Sequence, residues 1–207
     1  MTTPSKSGFT LFGDPVSGNC LKPKWTADLL GISYDWVTVD VLKAETRTPT
    51  FLSINPAGQV PVARWPDGRV LPQSNAIMLY LAEGSRLVPE DGFERAEAFS
   101  WLFWEQYSHE TAIAVRRFQK HYLKKSDVDI DPALTVKGNY ALSIMEQRLN
   151  GRDWLAGRGL SVADIALVAY TRVAHEGGFD LGVYPSVDRW VLRVEDALGI
   201  PHAREIA

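Results

Sequence analysis

The sequence predicts a small α/β domain followed by an all-helical domain, and three observations support this fold class. Short strand-like and helix-like segments alternate over residues 1–85. From residue 95 onward, apolar residues recur at helical spacing and no convincing strand is found. Between the two regions lies the turn-rich stretch Pro89–Gly92. We therefore expect a first domain at 1–85, a linker at 86–94 and a helical domain at 95–207.

The first domain is expected to contain strands and helices in the order βαβ followed by ββα, which is typical of a small mixed sheet covered by helices. Tyr34–Val39 alternates with period two, and the Asp67-Gly68 turn predicts a hairpin. The expected strands are Phe9–Phe12, Tyr34–Val39, Val60–Trp65 and Arg69–Leu71. The expected helices are Asn19–Leu30, Thr48–Ile54 and Asn75–Gly84.

The second domain is expected to be an all-α bundle. Apolar residues recur at intervals of three and four within several segments, as in an amphipathic helix. Examples are Ala96, Phe99, Leu102 and Phe103; Leu142, Met145 and Leu149; and Ile165, Val168 and Ala169.

Composition excludes several classes of protein. The chain has 207 residues, of which 45% are hydrophobic and 23% charged, as in ordinary globular proteins. The net charge of −3 gives no general attraction to nucleic acid or anionic membranes. No apolar run approaches the roughly 18–20 residues that cross a bilayer, and Met1–Gly8 lacks the apolar core of a secretory signal. With a single cysteine, Cys20, and no metal-ligand spacing, we expect a cytoplasmic protein without metal, nucleic-acid or membrane partners.

The segment Asn55–Pro61 is rich in turn-forming residues and precedes a strand. Proline cannot donate to a sheet ladder, so Pro61 belongs at the strand's first residue. There it would leave the backbone groups of Val60 free to pair with an extended peptide, and a cis bond would turn them toward a ligand. A loop-to-strand junction without a ligand is the alternative interpretation.

Two helix starts also carry polar groups. Ser74 precedes an apolar helical run and is predicted to be its N-cap, where free N–H groups suit a carboxylate, and Gln73 could add an amide contact. Ser17 and Cys20 have the spacing of a C-x-x-C motif whose first thiol is replaced by a hydroxyl, which can donate to a bound thiolate. The alternatives are plain capping for both serines and a small buried hydrophobe for Cys20.

These segments, in this order, resemble the cytosolic glutathione S-transferase family over nearly the whole chain. The resemblance implies a thioredoxin-like first domain with glutathione as co-substrate. It implies that Val60, beside cis-Pro61, pairs with the cysteinyl part of glutathione, and that Gln73 and Ser74 hold its γ-glutamyl carboxylate. Ser161–Asp164 resembles the family's buried N-capping box in the helical domain.

The resemblance also implies the catalytic residues. Ser17 matches the catalytic serine of theta-like and zeta-like members, and Asn19 is a candidate second donor to the sulfur. Beta-class members place near this turn a cysteine that can form a mixed disulfide with glutathione. Cys20 is two positions away from that alignment, so Ser17 is favoured and Cys20 is the second candidate.

Further contacts follow from the same resemblance. Lys43 or Gln59 is expected at the glycine carboxylate of glutathione. Glu105, Gln106 or His109 is expected to contact the second substrate or a partner chain, although His109 is as readily interpreted as a surface histidine. The implied protein is a homodimeric detoxification enzyme that conjugates glutathione to small apolar electrophiles. A glutathione-dependent thiol or peroxide reductase and a non-catalytic binding protein are the alternatives.

Overall fold

The computed structural model describes residues 6–205, which divide between Ser85 and Arg86 into two compact units. Residues 1–5 and 206–207, at the outer ends of the two expected domains, lie outside the described residues, as does most of the N-terminal stretch that we compared with a secretory signal. The expected linker at 86–94 overlaps the first helix of the second unit, which begins at Gly92.

The first unit confirms the predicted βαβ–ββα order. Strand β1 lies inside the sheet, parallel to β2 and antiparallel to β3, and β4 pairs antiparallel with β3, which gives the order β2-β1-β3-β4. The strands are β1 (Phe9–Gly13), β2 (Tyr34–Thr38), β3 (Val62–Arg64) and β4 (Val70–Pro72). The helices are α1 (Gly18–Leu30), α2 (Pro49–Ile54) and α3 (Ser74–Ala82).

Alternation along β1 determines what covers each face of the sheet. Phe9 and Leu11 are fully buried in one core cluster with Ala27 of α1 and Ile77 of α3. Phe12 packs on the other face, in a second cluster that includes Phe51 of α2. Helices α1 and α3 therefore lie together on one face, and both begin just after a strand ends.

Gly13, the last residue of β1, allows a close approach in the turn that leads to α1. A Cβ atom at this position would lie 2.5 Å from the Trp36 ring and 3.0 Å from the Cβ of Cys20. Any side chain here would displace the β1–α1 turn, because both neighbours belong to packed elements.

The second unit is helical, as predicted, and its described residues contain no strand. Its helices are α4 (Gly92–Trp104), α5 (Glu110–Arg117), α6 (Pro132–Leu149), α7 (Val162–Thr171) and α8 (Pro185–Leu198). π-helical segments at Glu105–His109 and Phe118–Tyr122 continue α4 and α5 without a break. Every residue of α7 is buried, so α7 is the central helix of this unit. Within residues 6–205, no helix combines the length and apolar character needed to cross a membrane.

Candidate functional site

Ser17 occupies the N-cap position of α1, directly after the β1–α1 turn. Its backbone is extended (φ −82°, ψ 117°), but its side chain makes no capping hydrogen bond. The half-buried hydroxyl instead hydrogen-bonds with the Cys20 thiol. The plain-capping interpretation therefore does not account for this hydroxyl, which lies at the positive end of the helix dipole.

The turn that carries Ser17 is held in place by Asp14, a buried aspartate. Its Oδ1 accepts from the Val16 N–H at 3.0 Å and its Oδ2 accepts from the Val41 N–H at 3.2 Å. Its backbone carbonyl accepts from the Ser17 N–H at 3.1 Å. Asp14 thus fixes the turn against the segment after β2. Sequence reasoning missed this role, because the contact between Asp14 and Val41 joins residues that are far apart in the sequence.

Asn19 joins the N-termini of α1 and α3. Its Oδ1 accepts a hydrogen bond from the Ser74 hydroxyl at 3.2 Å and another from Lys22 Nζ at 2.8 Å. Two helix N-termini, each with backbone N–H groups that lack intrahelical partners, therefore meet at this edge of the sheet. Such an arrangement suits an anionic ligand.

The predicted N-cap at Ser74 is wrong, because α3 begins one residue earlier than expected. Gln73 occupies the N-cap position and Ser74 is the first helical residue. Gln73 has φ +76°, a conformation that costs a non-glycine residue on the order of 1–3 kcal/mol. Its exposed side chain makes no hydrogen bond to any described residue. Strained residues of this kind cluster at ligand sites.

The loop before β3 has the expected form, including a cis Val60–Pro61 bond. Asn55 shapes the loop, since its Nδ2 donates to the Gln59 carbonyl at 2.8 Å and its Oδ1 accepts from the Ala57 N–H at 3.2 Å. Among residues 6–205, neither backbone polar group of the half-buried Val60 has a hydrogen-bond partner. An extended peptide could therefore pair with both groups.

The basic residue over this loop is Arg47, which sequence reasoning missed. Its Nη1 donates to the Ala57 carbonyl at 3.4 Å, and a Cβ at Gly58 (φ +61°) would lie 2.5 Å from the same nitrogen. The expected Lys43 is 77% exposed and pairs with Asp40 at 3.0 Å. Gln59 is exposed. The fold alone brings Arg47 beside the loop, so no local sequence pattern could have identified it.

Cys20 is fully buried, and burial raises the pKa of its thiol to about 11. At pH 7 only about one such thiol in ten thousand is ionised. Attack by a thiolate needs the ionised form and access to the sulfur. This environment does not suit the expected catalytic role of Cys20 and agrees with the alternative of a small buried hydrophobe.

The expected partner-facing residues of the helical unit require a correction. Glu105 and His109 have no exposed surface, so neither reaches a partner chain, and the surface-histidine interpretation of His109 is also wrong. His109 Nε2 lies 2.9 Å from the Thr171 hydroxyl inside the unit. Gln106 is half-buried and donates to Glu105 at 2.8 Å and to Glu110. The exposed residues of this stretch are Phe103 and Tyr107.

No three or more His, Cys, Asp or Glu side chains in the described part of the chain are grouped as a metal site would require.

The first unit thus has the thioredoxin-like fold with a polar cluster at two helix starts, and the second unit is all-helical, which together define a class of proteins with a thioredoxin-like domain followed by a helical domain. Residues 16–83 match the glutathione S-transferase N-terminal domain, and residues 110–196 match the glutathione S-transferase C-terminal domain. The chain belongs to the glutathione S-transferase family, as its sequence motifs indicate.

Several relatives are similar over most of their length. A glutathione S-transferase structure from Pseudomonas fluorescens is 44% identical with a TM-score of 0.88, covering 91% of this chain and 95% of that one. A glutathione S-transferase structure from Xanthobacter autotrophicus is 41% identical with a TM-score of 0.89, covering 97% and 100%. The disulfide-bond oxidoreductase YfcG of Escherichia coli is 28% identical over 170 residues, which is 79% of each chain.

Proposed function

We propose that this protein is a glutathione transferase that binds glutathione on its first unit, activates the thiol and conjugates it to apolar electrophiles. The observation that carries the proposal is the convergence at one sheet edge of the Ser17 hydroxyl, the Asn19–Ser74 hydrogen bond and the unpaired backbone of Val60. These groups match the parts of an extended tripeptide with a thiol in its middle. Family membership supports the same assignment.

Thiol activation is assigned to Ser17. Its hydroxyl donates to the glutathione sulfur and the N-terminus of α1 stabilises negative charge there, with Asn19 as a second donor. Each unit by which the thiol's pKa falls reflects about 1.4 kcal/mol of preferential stabilisation of the thiolate. The thiol proton leaves to solvent, and the sulfur's electron pair forms the new bond to the electrophilic carbon. The bond from that carbon to its leaving group then breaks, and the leaving group, a halide ion in the case of an aryl halide, departs to solvent with the electron pair.

The remaining parts of glutathione are assigned by charge and position. Gln73 and the backbone N–H of Ser74, whose hydroxyl already donates to Asn19, hold the γ-glutamyl carboxylate at the start of α3. The backbone of Val60, which precedes Pro61, pairs with the cysteinyl residue. We assign the glycine carboxylate to Arg47, which lies over the loop beside Gln59. Lys43 is the weaker candidate, because its ammonium is already paired with Asp40.

We expect Arg47→Ala to raise the KM for glutathione about tenfold, because a charge-assisted contact to a carboxylate is lost, and to leave kcat within about twofold. Lys43→Ala is the matched control and should leave KM within about twofold. Steady-state kinetics with varied glutathione measure both. The reverse ranking, with Lys43→Ala the more damaging, would transfer the role to Lys43.

The apolar class of electrophile is supported by the surroundings of Ser17. Val16, Val41 and Leu42 are exposed apolar residues at the same sheet edge, and Asp14 holds the first two in register. An apolar group of the second substrate can bury against them while its reactive carbon approaches the sulfur.

We also propose a homodimer. The helical unit exposes large apolar side chains on α4, the π-helical segment that follows it, and α6, among them Phe103 (75% exposed), Tyr107 (85%), Val136 (70%) and Tyr140 (66%). Exposed apolar patches of this kind are typical of association surfaces. Sedimentation velocity tests the proposal, and a monomer at micromolar concentration would contradict it.

A glutathione-dependent reductase is the second candidate, because YfcG, a relative at 28% identity, is a disulfide-bond oxidoreductase. In that reaction glutathione thiols would be oxidised as a disulfide substrate is reduced. The burial of Cys20 speaks against a mixed disulfide at this residue but leaves Ser17-based chemistry available for reduction.

One set of measurements tests the proposed function. Ultraviolet difference titration of wild type with glutathione should give a bound thiolate whose pKa lies below that of free glutathione. Turnover with an aryl halide should exceed turnover with a glutathione-dependent disulfide substrate. Cys20→Ala should retain at least about half of the activity, because the buried protonated thiol supplies packing and a hydrogen bond with Ser17 but not the nucleophile. Binding without a lowered thiol pKa would reduce the protein to a glutathione carrier, and a trapped Cys20–glutathione disulfide would favour the reductase.

A further inference from the structure

Lys22 of α1 has no exposed surface, although lysine is rarely buried completely, and the proposed function does not use it. It follows Asn19 by one helical turn, so both side chains lie on the same side of α1. A buried ammonium is unfavourable unless hydrogen bonds replace its hydration, so its contacts explain why it is tolerated.

The contact between Lys22 and Asn19 identifies the atoms of the Asn19 amide. Lys22 Nζ lies 2.8 Å from the Asn19 side chain, and the Ser74 hydroxyl lies 3.2 Å from the same atom. An ammonium group can only donate hydrogen bonds, so the atom that faces it must be the amide oxygen Oδ1. The other end of the amide, Nδ2, therefore points away from Lys22.

This orientation matters for a ligand beside Ser17. An asparagine amide presents a donor or an acceptor according to the rotation about its last side-chain bond, and the two states differ little in shape. An amide oxygen next to a thiolate would be repulsive, whereas an N–H donor would stabilise the anion. A donor-only group that faces Oδ1 excludes the rotated state.

We infer that Lys22 is a positioning residue that fixes the Asn19 amide with Nδ2 as the donor for the sulfur of bound glutathione. The inference rests on the proposed function, in which Asn19 is the second donor to the sulfur. It adds that the buried Lys22 sets the direction of that donor. Lys22 acts through Asn19 and does not itself touch the substrate.

A double-mutant cycle in the full chain tests this coupling. The measured quantity is the ratio of thiolate to thiol in bound glutathione at pH 7, from ultraviolet difference spectra. We expect Asn19→Ala and Lys22→Met each to lower the ratio about tenfold, and the double variant to lower it no further than either single variant. Lys24→Met, on the same helix with an exposed ion pair to Asp28, is the control and should stay within about twofold.

Two results of the cycle would overturn the inference. An unchanged ratio of thiolate to thiol in Lys22→Met would show that Lys22 is not needed to hold the Asn19 amide in its orientation. Effects that multiply in the double variant would show that Lys22 acts by its charge, independently of Asn19. Lys22→Gln separates these explanations further, because it keeps an N–H donor without the charge and should retain more than half of the wild-type ratio.

A measurement without glutathione keeps the inference separate from the proposed function. In protein labelled with ¹⁵N-asparagine, the Nδ2 resonances of Asn19 should be sharp in wild type and in Lys22→Gln, and should shift or broaden in Lys22→Met or, where that variant does not fold, in Lys22→Leu. Identical resonances in wild type and in the apolar variant would overturn the positioning role of Lys22, whatever the ligand. A failure of wild type to bind glutathione, with the resonances behaving as expected, would instead overturn the proposed function.

Discussion

Replacing Ser17 by alanine is expected to lower kcat/KM for conjugation about 10- to 100-fold at pH 7. The variant loses one hydrogen bond to the charged sulfur, and such bonds contribute about 1.5–3 kcal/mol. The pKa of the bound thiol should rise by about 1–2 units, since each unit corresponds to about 1.4 kcal/mol. Affinity for glutathione should change less than about threefold, because the Val60 and Ser74 contacts remain.

The pH dependence of the activity lost in Ser17→Ala gives a sharper test than the size of the loss at pH 7. A thiol with a raised pKa is ionised at higher pH, so the deficit of Ser17→Ala should shrink as the pH rises through the new pKa. Ser53→Ala is the matched control, since its hydroxyl is exposed on α2 and, among residues 6–205, donates only to the Thr50 carbonyl. A bound-thiol pKa equal to that of wild type would remove Ser17 from its assigned role.

The parts of the first unit that depend on local chemistry were predictable from the sequence. The hairpin follows from the Asp67-Gly68 turn between apolar strands, and β4 pairs with β3 as expected. The break at Asn55-Pro56 is also a property of a few neighbouring residues, and the strand expected from Val60 begins at Val62, just after Pro61. Proline fixes φ and glycine permits a positive φ, so the turns that these residues specify depend little on the packing around them.

The site residues that sequence reasoning missed depend on tertiary packing. Among the apolar residues of α1, Trp25 is buried but Leu21, Leu29 and Leu30 are only half-buried. The polar residues Lys22 and Thr26 are fully buried. Helix α1 is covered on more than one side, so the apolar period indicates only part of its buried surface. Likewise, the positive φ of Gln73 is set by the connection from β4 to α3, and no propensity scale places glutamine there.

The helical unit gives a second example. Glu105, Gln106 or His109 was expected to contact the second substrate or a partner chain, but Glu105 and His109 are buried inside the unit. A π-helical segment spans Glu105–His109, where the residues per turn exceed those of an α-helix. A buried face predicted from a spacing of 3.6 residues per turn therefore differs from the face that the structure buries. Glu105 and His109 lie on the buried face.

The expected capping at the start of α7 has a larger role than its sequence suggests. Asp164 is completely buried, and its carboxylate accepts four hydrogen bonds. Its Oδ2 accepts from the backbone N–H and hydroxyl of Ser161, at 2.9 and 2.8 Å. Its Oδ1 accepts from the Leu155 N–H and from Trp190 Nε1, both at 2.9 Å. Burial raises the pKa of Asp164, and the four donors act in the opposite direction by favouring the carboxylate. This one side chain therefore joins α7, the preceding loop and α8.

Asp164→Ala should destabilise the protein by about 3–5 kcal/mol, because it leaves buried donors unpaired at a cost of about 1–3 kcal/mol each. That loss is a large share of the roughly 5–15 kcal/mol that stabilises a typical domain. Asp164→Asn should cost less, about 1–3 kcal/mol, since its carbonyl still accepts from one pair of donors while its NH₂ group opposes the other.

Urea denaturation followed by circular dichroism measures these differences as shifts in midpoint at constant slope. Asp153→Ala is the matched control in the same unit, because Asp153 is exposed and paired with Arg193 at 2.9 Å, and it should change stability by no more than about 0.5 kcal/mol. The expected order of midpoints is wild type and Asp153→Ala together, then Asp164→Asn, then Asp164→Ala. If Asp164→Ala unfolds at the control's midpoint, the donors around α7 find other partners, and α7 is held by apolar packing alone.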